Sequence, residues 1–347
     1  MMRHTRRAIS CDPQGELSLV NRPPLDTPQQ ANQPLALVRV EAFGLNRADL
    51  LQRAGHYPPP PGVSPEILGL EFTGVVEQII GLKGEGSDDD LNTTFPRPQV
   101  GDRVMGICAG GAYAEELFTP LDQLLPVPDH FSVAQAAALP EAYLTAYDAL
   151  INQASLRSGE RVLIHAIGSG VGAAAAHLAS LLGAEVIGTT RSEWKRERAL
   201  RELPVSQVWL SKDGQWSPPD AESFDVIIDF VGAAYLKENV KRLALKGRLV
   251  VVGLLGGIKA ELNLGLLLSR RAQLIGTVLR SRSTTEKIEL TQRFRHEILP
   301  HFSNQVLAPP AICDTYLVSD SVLRVDDAHE RLANNDTWSK LVCVWDV

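Results

Sequence analysis

The second half of the chain alternates short apolar runs with segments of helical periodicity. Short apolar runs bounded by turn residues are typical of strands that are buried on both faces. Strands that alternate with helices predict an α/β fold with a doubly wound parallel sheet. The predicted strands are Val162–Ala166, Glu185–Thr190, Val208–Leu210, Phe224–Phe230, Gly247–Gly253 and Gln273–Leu279.

The N-terminal part of the chain has a different pattern, in which short strands are separated by turns and proline clusters. Three segments there are predicted as strands, namely Leu35–Glu41, Gly74–Ile80 and Asp102–Ile107. Val133–Asn152 and Asp326–Asn334 have the periodicity of helices, and Lys340–Trp345 that of a last strand. We expect this last strand to rejoin the N-terminal domain, so that the parallel-sheet domain is inserted into it.

Glycines follow the first strand of the parallel sheet. The segment Arg161–Gly172 ends in Gly168, Gly170 and Gly172, and a small-residue helix is predicted over Ala173–Leu182. A strand, a glycine turn and a helix begin the dinucleotide-binding βαβ unit, whose backbone N–H groups and helix N-terminus bind a pyrophosphate. The spacing is not a strict G-x-G-x-x-G, and ordinary βα loops also contain glycine, so both interpretations stay open here.

The end of the second strand bears on the choice of cofactor. NAD sites place an acidic residue there for the ribose 2′-hydroxyl. This chain has Thr190, Arg191 and Ser192 instead, followed by Lys195, with no carboxylate before Glu193. Two cations and a hydroxyl favour the 2′-phosphate of NADP(H) over NAD(H). The alternative is that Arg191 and Lys195 belong to a solvated helix start.

Composition narrows the functional classes. The 347 residues are 44% hydrophobic and 22% charged, which is typical of a globular protein with room for two domains. The net charge of −7 argues against nucleic acid as a partner. No apolar run reaches the length of a membrane span, and Met1–Arg7 lacks the apolar core of a secretory signal. The scattered Cys11, Cys108, Cys313 and Cys343 predict packing roles in a reducing compartment, which we expect to be the cytoplasm.

Seven motifs in order carry a resemblance to a known family. They are EAFGLNRADL, GHYPPPPG, ILGLEFTG, VGDRV, AALPEAYLTAYDAL, LIHAIGSGVG and LRSR. Together they resemble the medium-chain dehydrogenase/reductase superfamily, and more narrowly its zinc-independent, zeta-crystallin-like NADPH:quinone oxidoreductases. The subgroup that they resemble most is the tumour-suppressor-induced quinone oxidoreductases.

The resemblance implies a fold and a domain organisation. A Rossmann-type doubly wound parallel sheet would be inserted into a mostly β, GroES-like catalytic domain. The implied catalytic domain comprises residues 1–140 and 295–347, and the NADP(H)-binding domain comprises residues 141–294.

The resemblance also implies a reaction without a metal. Zinc alcohol dehydrogenases of this superfamily carry a cysteine where this chain has Asn46 and a histidine where it has Leu70. The four-cysteine zinc lobe is also missing, and the acidic loop 84–98 stands in its place. We therefore expect no metal site, and hydride transfer to an electrophilic acceptor without a Lewis acid.

Site residues are carried over from the family one by one. The implied catalytic residues are Tyr57, Ser169, Asn46 and Asp49. The implied cofactor-binding residues are Asn46, Thr145, Ser169, Gly170, Val171, Gly172, Thr190, Arg191, Ser192, Lys195, Gly232, Gly253, Leu254, Leu255 and Arg280. In this hypothesis, Tyr57 or Asn46 hydrogen-bonds the oxyanion that develops on the acceptor. The alternatives are a structural tyrosine that caps the proline run, and a surface arginine at position 280.

Three features differ from the family or stay outside its site. Relatives often have a tyrosine that helps to hold the 2′-phosphate where this chain has Ser211. The acidic loop, with Asp88–Asp90, is longer than expected and reads as a solvated surface. His165 lies in an apolar strand, which predicts a core histidine bonded to backbone.

The leading hypothesis is an NADPH-dependent quinone oxidoreductase that acts on a small quinone or enone. One alternative is an NADPH-dependent alkenal or enoyl double-bond reductase, which uses the same fold and hydride. The other is an NADPH-binding protein with little turnover. The family also implies a homodimer that pairs strands edge to edge, for which Ala272–Leu279 is the candidate.

Overall fold

The computed structural model describes residues 5–28, 33–81, 96–212, 215–216, 222–319 and 321–346. The chain divides into two units, of which unit 1 comprises Met1–Glu141 and Leu279–Val347 and unit 2 comprises Ala142–Val278. The expected boundary at 294/295 falls inside a helix of unit 1. The expected acidic loop, 84–98, lies outside the described ranges over residues 84–95.

Unit 1 is built mainly from strands. Its strands are β1 (Arg6–Cys11), β2 (Leu17–Arg22), β3 (Leu35–Gly44), β4 (Glu71–Ile80), β5 (Arg103–Ile107), β6 (Glu116–Pro120), β7 (Leu124–Pro126), β14 (Ile312–Val318) and β15 (Lys340–Trp345). Its helices are α1 (Arg47–Arg53), α2 (Val133–Ala137), α8 (Thr284–Glu297), α9 (Leu299–Ser303) and α10 (Leu323–Ala333), and it includes the first turn of α3 (Pro140–Tyr147).

The main sheet of unit 1 brings the two ends of the chain together. Its strand order is β14-β15-β3-β4-β5-β7 over the described residues, and β6 also pairs with β3. The last strand lies between β14 and β3 and is antiparallel to β3. Burial alternates along β3, so one face of the sheet packs on an apolar core that includes Phe43, Tyr113 and Trp345.

Unit 2 contains the alternating strands and helices that the sequence predicts. Its strands are β8 (Arg161–Ile164), β9 (Glu185–Thr190), β10 (Gln207–Leu210), β11 (Phe224–Asp229), β12 (Leu243–Val251) and β13 (Gln273–Gly276). Its helices are the rest of α3, a π-helical turn (Asp148–Gln153), α4 (Gly170–Leu181), α5 (Glu193–Glu202), α6 (Ala233–Arg242) and α7 (Leu264–Arg270).

The sheet of unit 2 is parallel throughout the described strands, in the order β10-β9-β8-β11-β12-β13. This is the strand order of a doubly wound, Rossmann-type sheet, so the predicted fold class is confirmed. Val162, Leu163 and Ile164 of the central strand β8 are fully buried, because helices cover both faces of the sheet. All strands point the same way, so their carboxyl ends form one edge.

Predicted element bounds are confirmed where the pattern is strong. Strands β9 and β15 begin and end where predicted. The predicted helix over Val133–Asn152 is wrong as a single element, because Pro140 lacks an N–H and disfavours helical backbone at the residue before it. Among the helices of the described ranges, none is long and apolar enough to cross a membrane.

Candidate active site

A buried lysine lies at the centre of a polar cluster in unit 1. Lys340 opens β15, and its side chain is 3% exposed. Its ammonium donates to Leu45 O (3.0 Å), Asn46 Oδ1 (2.7 Å) and Glu71 Oε1. An ammonium has three N–H donors, so these bonds use its whole capacity.

The carboxylate of Glu71 connects this lysine to other elements. Its Oε1 also accepts from Asn46 Nδ2 at 2.9 Å, and its Oε2 accepts from the backbone N–H of Glu141 at 2.9 Å. The side chain is fully buried, and a Cβ at Gly44 would collide with it. A glycine at the end of β3 is therefore what lets the carboxylate lie here.

Asn46 and Asp49 organise the start of α1. The N–H of Asn46 donates to Asp49 Oδ2 at 2.8 Å, which is one half of a capping box. Asp49 is 1% exposed, and burial raises its pKa to about 6. The Asn46 amide is bonded to both Glu71 and Lys340. This geometry gives both residues a holding role, and their catalytic roles stay predictions.

A hydrogen-bond chain behind Asp49 was not predicted. Tyr113 Oη lies 3.3 Å from Asp49 Oδ2 and 2.9 Å from His329 Nε2, and Arg53 Nη1 lies 3.2 Å from His329 Nδ1. Arginine only donates, so Nδ1 accepts and Nε2 carries the proton. Burial, together with the Arg53 charge, lowers the pKa of His329 to about 3. The histidine is therefore neutral.

Tyr57 is held by a buried arginine. The Arg280 guanidinium donates to Ala109 O (2.8 Å), Tyr57 O (3.1 Å) and Gln52 Oε1, and it lies 5.0 Å from the centroid of the Tyr57 ring. Arg280 is 4% exposed, so the surface-arginine alternative is wrong. Its predicted cofactor contact stays a prediction, since the bonds seen here all lie within unit 1. The Tyr57 hydroxyl neither accepts nor donates a hydrogen bond in the described part of the chain.

Glu141 is the second carboxyl beside Glu71. Its side chain is partly buried, and desolvation together with the nearby Glu71 charge raises its pKa to about 8. Burial raises the pKa of the nearby Tyr57 hydroxyl above its usual value, and the ionised form of Glu141 would raise it further. Glu141 is therefore a carboxyl that holds its proton at neutral pH.

In unit 2, the predicted phosphate-binding residues lie at the carboxyl end of β8. Ser169 caps α4, because its Oγ accepts the N–H of Gly172 at 3.0 Å. Helix geometry leaves the N–H groups of Gly170 and Val171 without an intrahelical acceptor. A Cβ at Gly172 would lie 2.5 Å from Ala166 O. The backbone geometry therefore fits an anion at this helix N-terminus.

The predicted 2′-phosphate residues lie at the carboxyl end of β9. Thr190 ends the strand, Arg191 is exposed, and Ser192 precedes α5. The Lys195 ammonium lies 5.2 Å from the Trp194 ring. Ser211 lies beside them, since its N–H donates to Thr190 O at 2.8 Å. The Tyr235 hydroxyl pairs with Ser211 and feels the Arg191 charge, so a second hydroxyl unforeseen from the sequence lies near this position.

The carboxyl ends of β11 and β12 carry the remaining predicted residues of unit 2. Asp229 Oδ1 accepts the N–H groups of Val231 (2.7 Å) and Gly232 (3.1 Å), which fixes a turn where Gly232 has a φ of 81°. Gly253 approaches the backbone of Phe230, and Leu254 and Leu255 are about half exposed. Thr145, on α3, is partly exposed. All but Thr145 lie at one edge of the sheet.

His165 fixes the same edge from inside the core. It is fully buried as predicted, but its ring bonds side chains and not backbone: Nε2 lies 2.8 Å from Asn239 Oδ1, and Nδ1 lies 2.8 Å from Thr189 Oγ1. Asn239 in turn donates to Asp229 at 3.0 Å. Burial lowers the pKa of His165 to about 4, so the ring is neutral. The prediction of a backbone partner is wrong because strand ladders already satisfy the neighbouring backbone.

The structure thus gathers the predicted residues in two places. Asn46, Asp49, Tyr57 and Arg280 lie in unit 1, and the others lie in unit 2. Sequence reasoning missed Glu71, Glu141, Lys340 and the Tyr113–His329 pair. The available signal was a charged residue at the start of an otherwise apolar strand, as at Glu71 and Lys340.

Comparisons with known proteins agree with these two units. A family model described as "Alcohol dehydrogenase GroES-like domain" matches residues 32–129, and one described as "Zinc-binding dehydrogenase" matches residues 170–293. A quinone oxidoreductase-like protein 2 homolog from Nematostella vectensis is 28% identical over 98% of this chain and 89% of its own length.

Two solved structures are similar over nearly the whole chain. The human synaptic vesicle membrane protein VAT-1 homolog-like protein has a TM-score of 0.78 and 25% identity, covering 99% of both chains. A mycobacterial protein in complex with NADPH has a TM-score of 0.73 and 25% identity, covering 98% of this chain and 99% of its own.

A GroES-like domain joined to a Rossmann-type domain defines an oxidoreductase of the medium-chain dehydrogenase/reductase type. The chain belongs to this superfamily and is similar to its quinone oxidoreductase-like proteins.

Proposed function

We propose that the protein is an NADPH-dependent quinone oxidoreductase that transfers hydride to a quinone or similar electrophile without a metal. The observation that carries this proposal is the Lys340 ammonium, which donates hydrogen bonds to oxygens of Leu45, Asn46 and Glu71. Because this fixed cation already occupies the centre of the unit 1 cluster, an acceptor oxygen is stabilised by hydrogen-bond donors and not by a Lewis acid.

The residues of this cluster do not fit zinc. Zinc prefers thiolate, imidazole and carboxylate ligands. Here Leu70 is apolar, the Asn46 amide is bonded on both sides, and Glu71 Oε1 already accepts two donors. In the described ranges, no group of three or more His, Cys, Asp or Glu side chains is placed to hold a metal ion. No step of the proposed reaction therefore passes through a metal.

The residues of unit 2 fit NADPH. The N–H groups of Gly170 and Val171 would receive the pyrophosphate, and Arg191, Ser192 and Lys195 would receive the 2′-phosphate. When bound, the cofactor supplies the hydride. A solved relative that is 25% identical was crystallised with NADPH, which supports the same assignment here.

Tyr57 is the better of the two proposed oxyanion donors. The Asn46 amide is engaged by Glu71 and Lys340, whereas the Tyr57 ring is held by Arg280 and its hydroxyl is uncommitted within the described residues. A partly buried hydroxyl with a fixed ring can donate to a carbonyl oxygen as negative charge develops there.

Cofactor oxidation measured with different acceptors tests the proposal. NADPH with an ortho-naphthoquinone should react fast, and NADH with the same quinone should react slowly. Turnover with an alkenal but no quinone would instead indicate a double-bond reductase. Tight NADPH binding without turnover of any acceptor would indicate a binding protein.

We also propose a homodimer that forms at β13. This strand pairs only with β12 among the described strands, and large apolar side chains are exposed on it and on the preceding helix α7, including Leu274 (41%) and Leu268 (77%). A second copy would cover them. Light scattering should give a dimer mass that Leu268→Asp reduces to a monomer and Leu323→Asp, a control in unit 1, does not.

The four thiols are free, which fits the proposed location in the cytoplasm.

A further inference from the structure

We propose that Glu141 is the proton donor of the reaction, delivering a proton to the acceptor oxygen that Tyr57 hydrogen-bonds. This inference rests on the proposed function and deepens it, since it assigns the source of the proton. Hydride transfer to a quinone leaves an oxyanion, and a carboxylic acid within reach is a more direct source of a proton than bulk water.

The position of Glu141 is fixed through its backbone. Its N–H donates to Glu71 Oε2 at 2.9 Å, and Glu71 is itself fixed by Lys340 and Asn46. Glu141 is the second residue of α3, directly after Pro140, so its backbone cannot shift without breaking this contact. The first turn of α3 therefore presents the carboxyl from a rigid support.

The carboxyl of Glu141 is uncommitted. It makes no hydrogen bond to any described residue, and it is partly exposed, whereas the neighbouring Glu71 carboxylate is fully buried with both oxygens bonded. A polar group that is partly shielded from water and has no hydrogen-bond partner in the protein can bond a substrate atom. Glu71 has no such capacity, so the two carboxyls have different roles.

Charged and titratable groups from every neighbouring element act on Glu141. They are Glu71 on β4, Lys340 on β15, Asp49 on α1, Lys287 on α8, Cys108 after β5, and Tyr57 and Arg280 in loops. Desolvation and the Glu71 charge outweigh the two lysines, so the acid stays protonated up to about pH 8.

The proposed step balances in atoms and electrons. The acceptor gains a hydride with its two electrons from the reduced cofactor. The O–H bond of Glu141 breaks, its proton bonds to the acceptor oxygen, and a carboxylate remains. Water reprotonates this carboxylate, which the Glu71 charge favours. This one hydride and one proton together convert a quinone to its hydroquinone; where the hydride adds to a ring carbon, that hydrogen then moves to the second oxygen as a proton by tautomerisation.

Glu141→Gln tests this role, because it keeps the shape and removes the acid. The first measurement needs no cofactor: the infrared difference between wild type and Glu141→Gln in the full chain. We expect a protonated-carboxyl band at neutral pH that disappears as the pH rises through about 8. An ionised carboxylate at neutral pH would overturn the inference.

The second measurement is kcat against pH with NADPH and the quinone. We expect a wild-type kcat that falls above about pH 8, and a Glu141→Gln kcat that is about 10²-fold lower and flat over that range, with NADPH affinity unchanged. Glu330→Gln, an exposed control on α10, should match wild type. A Glu141→Gln enzyme with wild-type kcat and pH profile would overturn the inference while leaving the quinone reductase proposal intact.

Two further outcomes are informative. A wild-type enzyme that reduces no acceptor would overturn the proposed function, and with it this role, whatever the infrared result. If Glu141→Gln does not fold, Glu141→Asp retracts the acid and keeps it titratable. Its kcat should then fall, while the decrease of kcat at high pH persists and kcat stays lower in D₂O than in H₂O. An unchanged kcat would overturn the inference.

Discussion

The unit 1 cluster and the carboxyl edge of the unit 2 sheet are built in opposite ways. The edge offers a ligand mainly backbone groups: N–H groups at the start of α4, glycines that make room, and a turn fixed by Asp229. The cluster is made of side chains, in which the buried Lys340 ammonium and the buried Glu71 carboxylate bond each other and the Asn46 amide.

The contrast shows which kind of site tolerates which kind of change. A backbone site depends on local conformation, so a single Cβ in the wrong place blocks it. A buried side-chain site depends on charge compensation, so removing one partner leaves the other unpaired. The substitutions below test that difference, beginning with the largest expected effect.

Lys340→Met should destabilise unit 1 more than any single change in unit 2. Removing the ammonium leaves the buried Glu71 carboxylate with no counter-charge, at a cost of about 3–5 kcal/mol. Denaturant unfolding measures this loss. The double variant Lys340→Met with Glu71→Gln should recover most of it, and Lys259→Met, an exposed control, should change nothing. A loss below about 1 kcal/mol would mean that the Lys340 ammonium does not compensate the charge of the Glu71 carboxylate.

Acid should also act on unit 1 through His329. Its pKa is about 3 in the folded chain against 6.5 when unfolded, so the unfolded state binds more protons between these values. Stability due to this group is present above pH 6.5 and is lost as pH falls, by about 3 kcal/mol near pH 4.5. His329→Gln does not titrate, so its stability should fall less with acid. Equal slopes for the two proteins would contradict the neutral assignment.

Arg191→Gln should weaken NADPH binding by about 2 kcal/mol, the value of a charge-assisted hydrogen bond. NADH binding should be unchanged, because it lacks the 2′-phosphate. Calorimetric titration of the two cofactors gives both values. Arg201→Gln on the exposed face of α5 is the matched control. Equal losses for NADPH and NADH would place Arg191 away from the 2′-phosphate.

Ser169→Ala should have the smallest effect, about 1 kcal/mol of stability, from loss of the α4 cap. Ser169→Gly should lose only a few tenths of that amount, because glycine is tolerated at this position. Thermal unfolding without cofactor compares the two. A larger loss for glycine than for alanine would show that backbone order at this turn outweighs the cap.

The sequence predicts unit 2 better than unit 1 because its signals are local. The strand, glycine turn and helix of the candidate phosphate site lie within residues 161–181, and β9 follows at its predicted bounds. Parallel strands then bring the other predicted residues to one edge without further information.

The unit 1 cluster could not be predicted because its partners are distant in the chain. Lys340 and Glu71 are 269 positions apart, and Tyr113 and His329 are 216 apart. Each looks ordinary in its own segment: a lysine that opens a strand, or a histidine in an amphipathic helix. Only the pairing of β15 with β3 brings Lys340 to Asn46. Glu141 lies within the motif AALPEAYLTAYDAL, but its proposed role depends on Glu71, which is distant in the sequence.

The place of β15 in its sheet also sets an order of assembly during synthesis. Unit 2 is one uninterrupted segment, so it has all its strands once the ribosome has passed residue 278. The main sheet of unit 1 must wait for β15, which lies between β14 and β3 and carries the lysine. Until residues 340–345 have been translated, we expect the nascent chain to hold a complete unit 2 while the main sheet of unit 1 keeps an open edge at β3, to which a chaperone can bind.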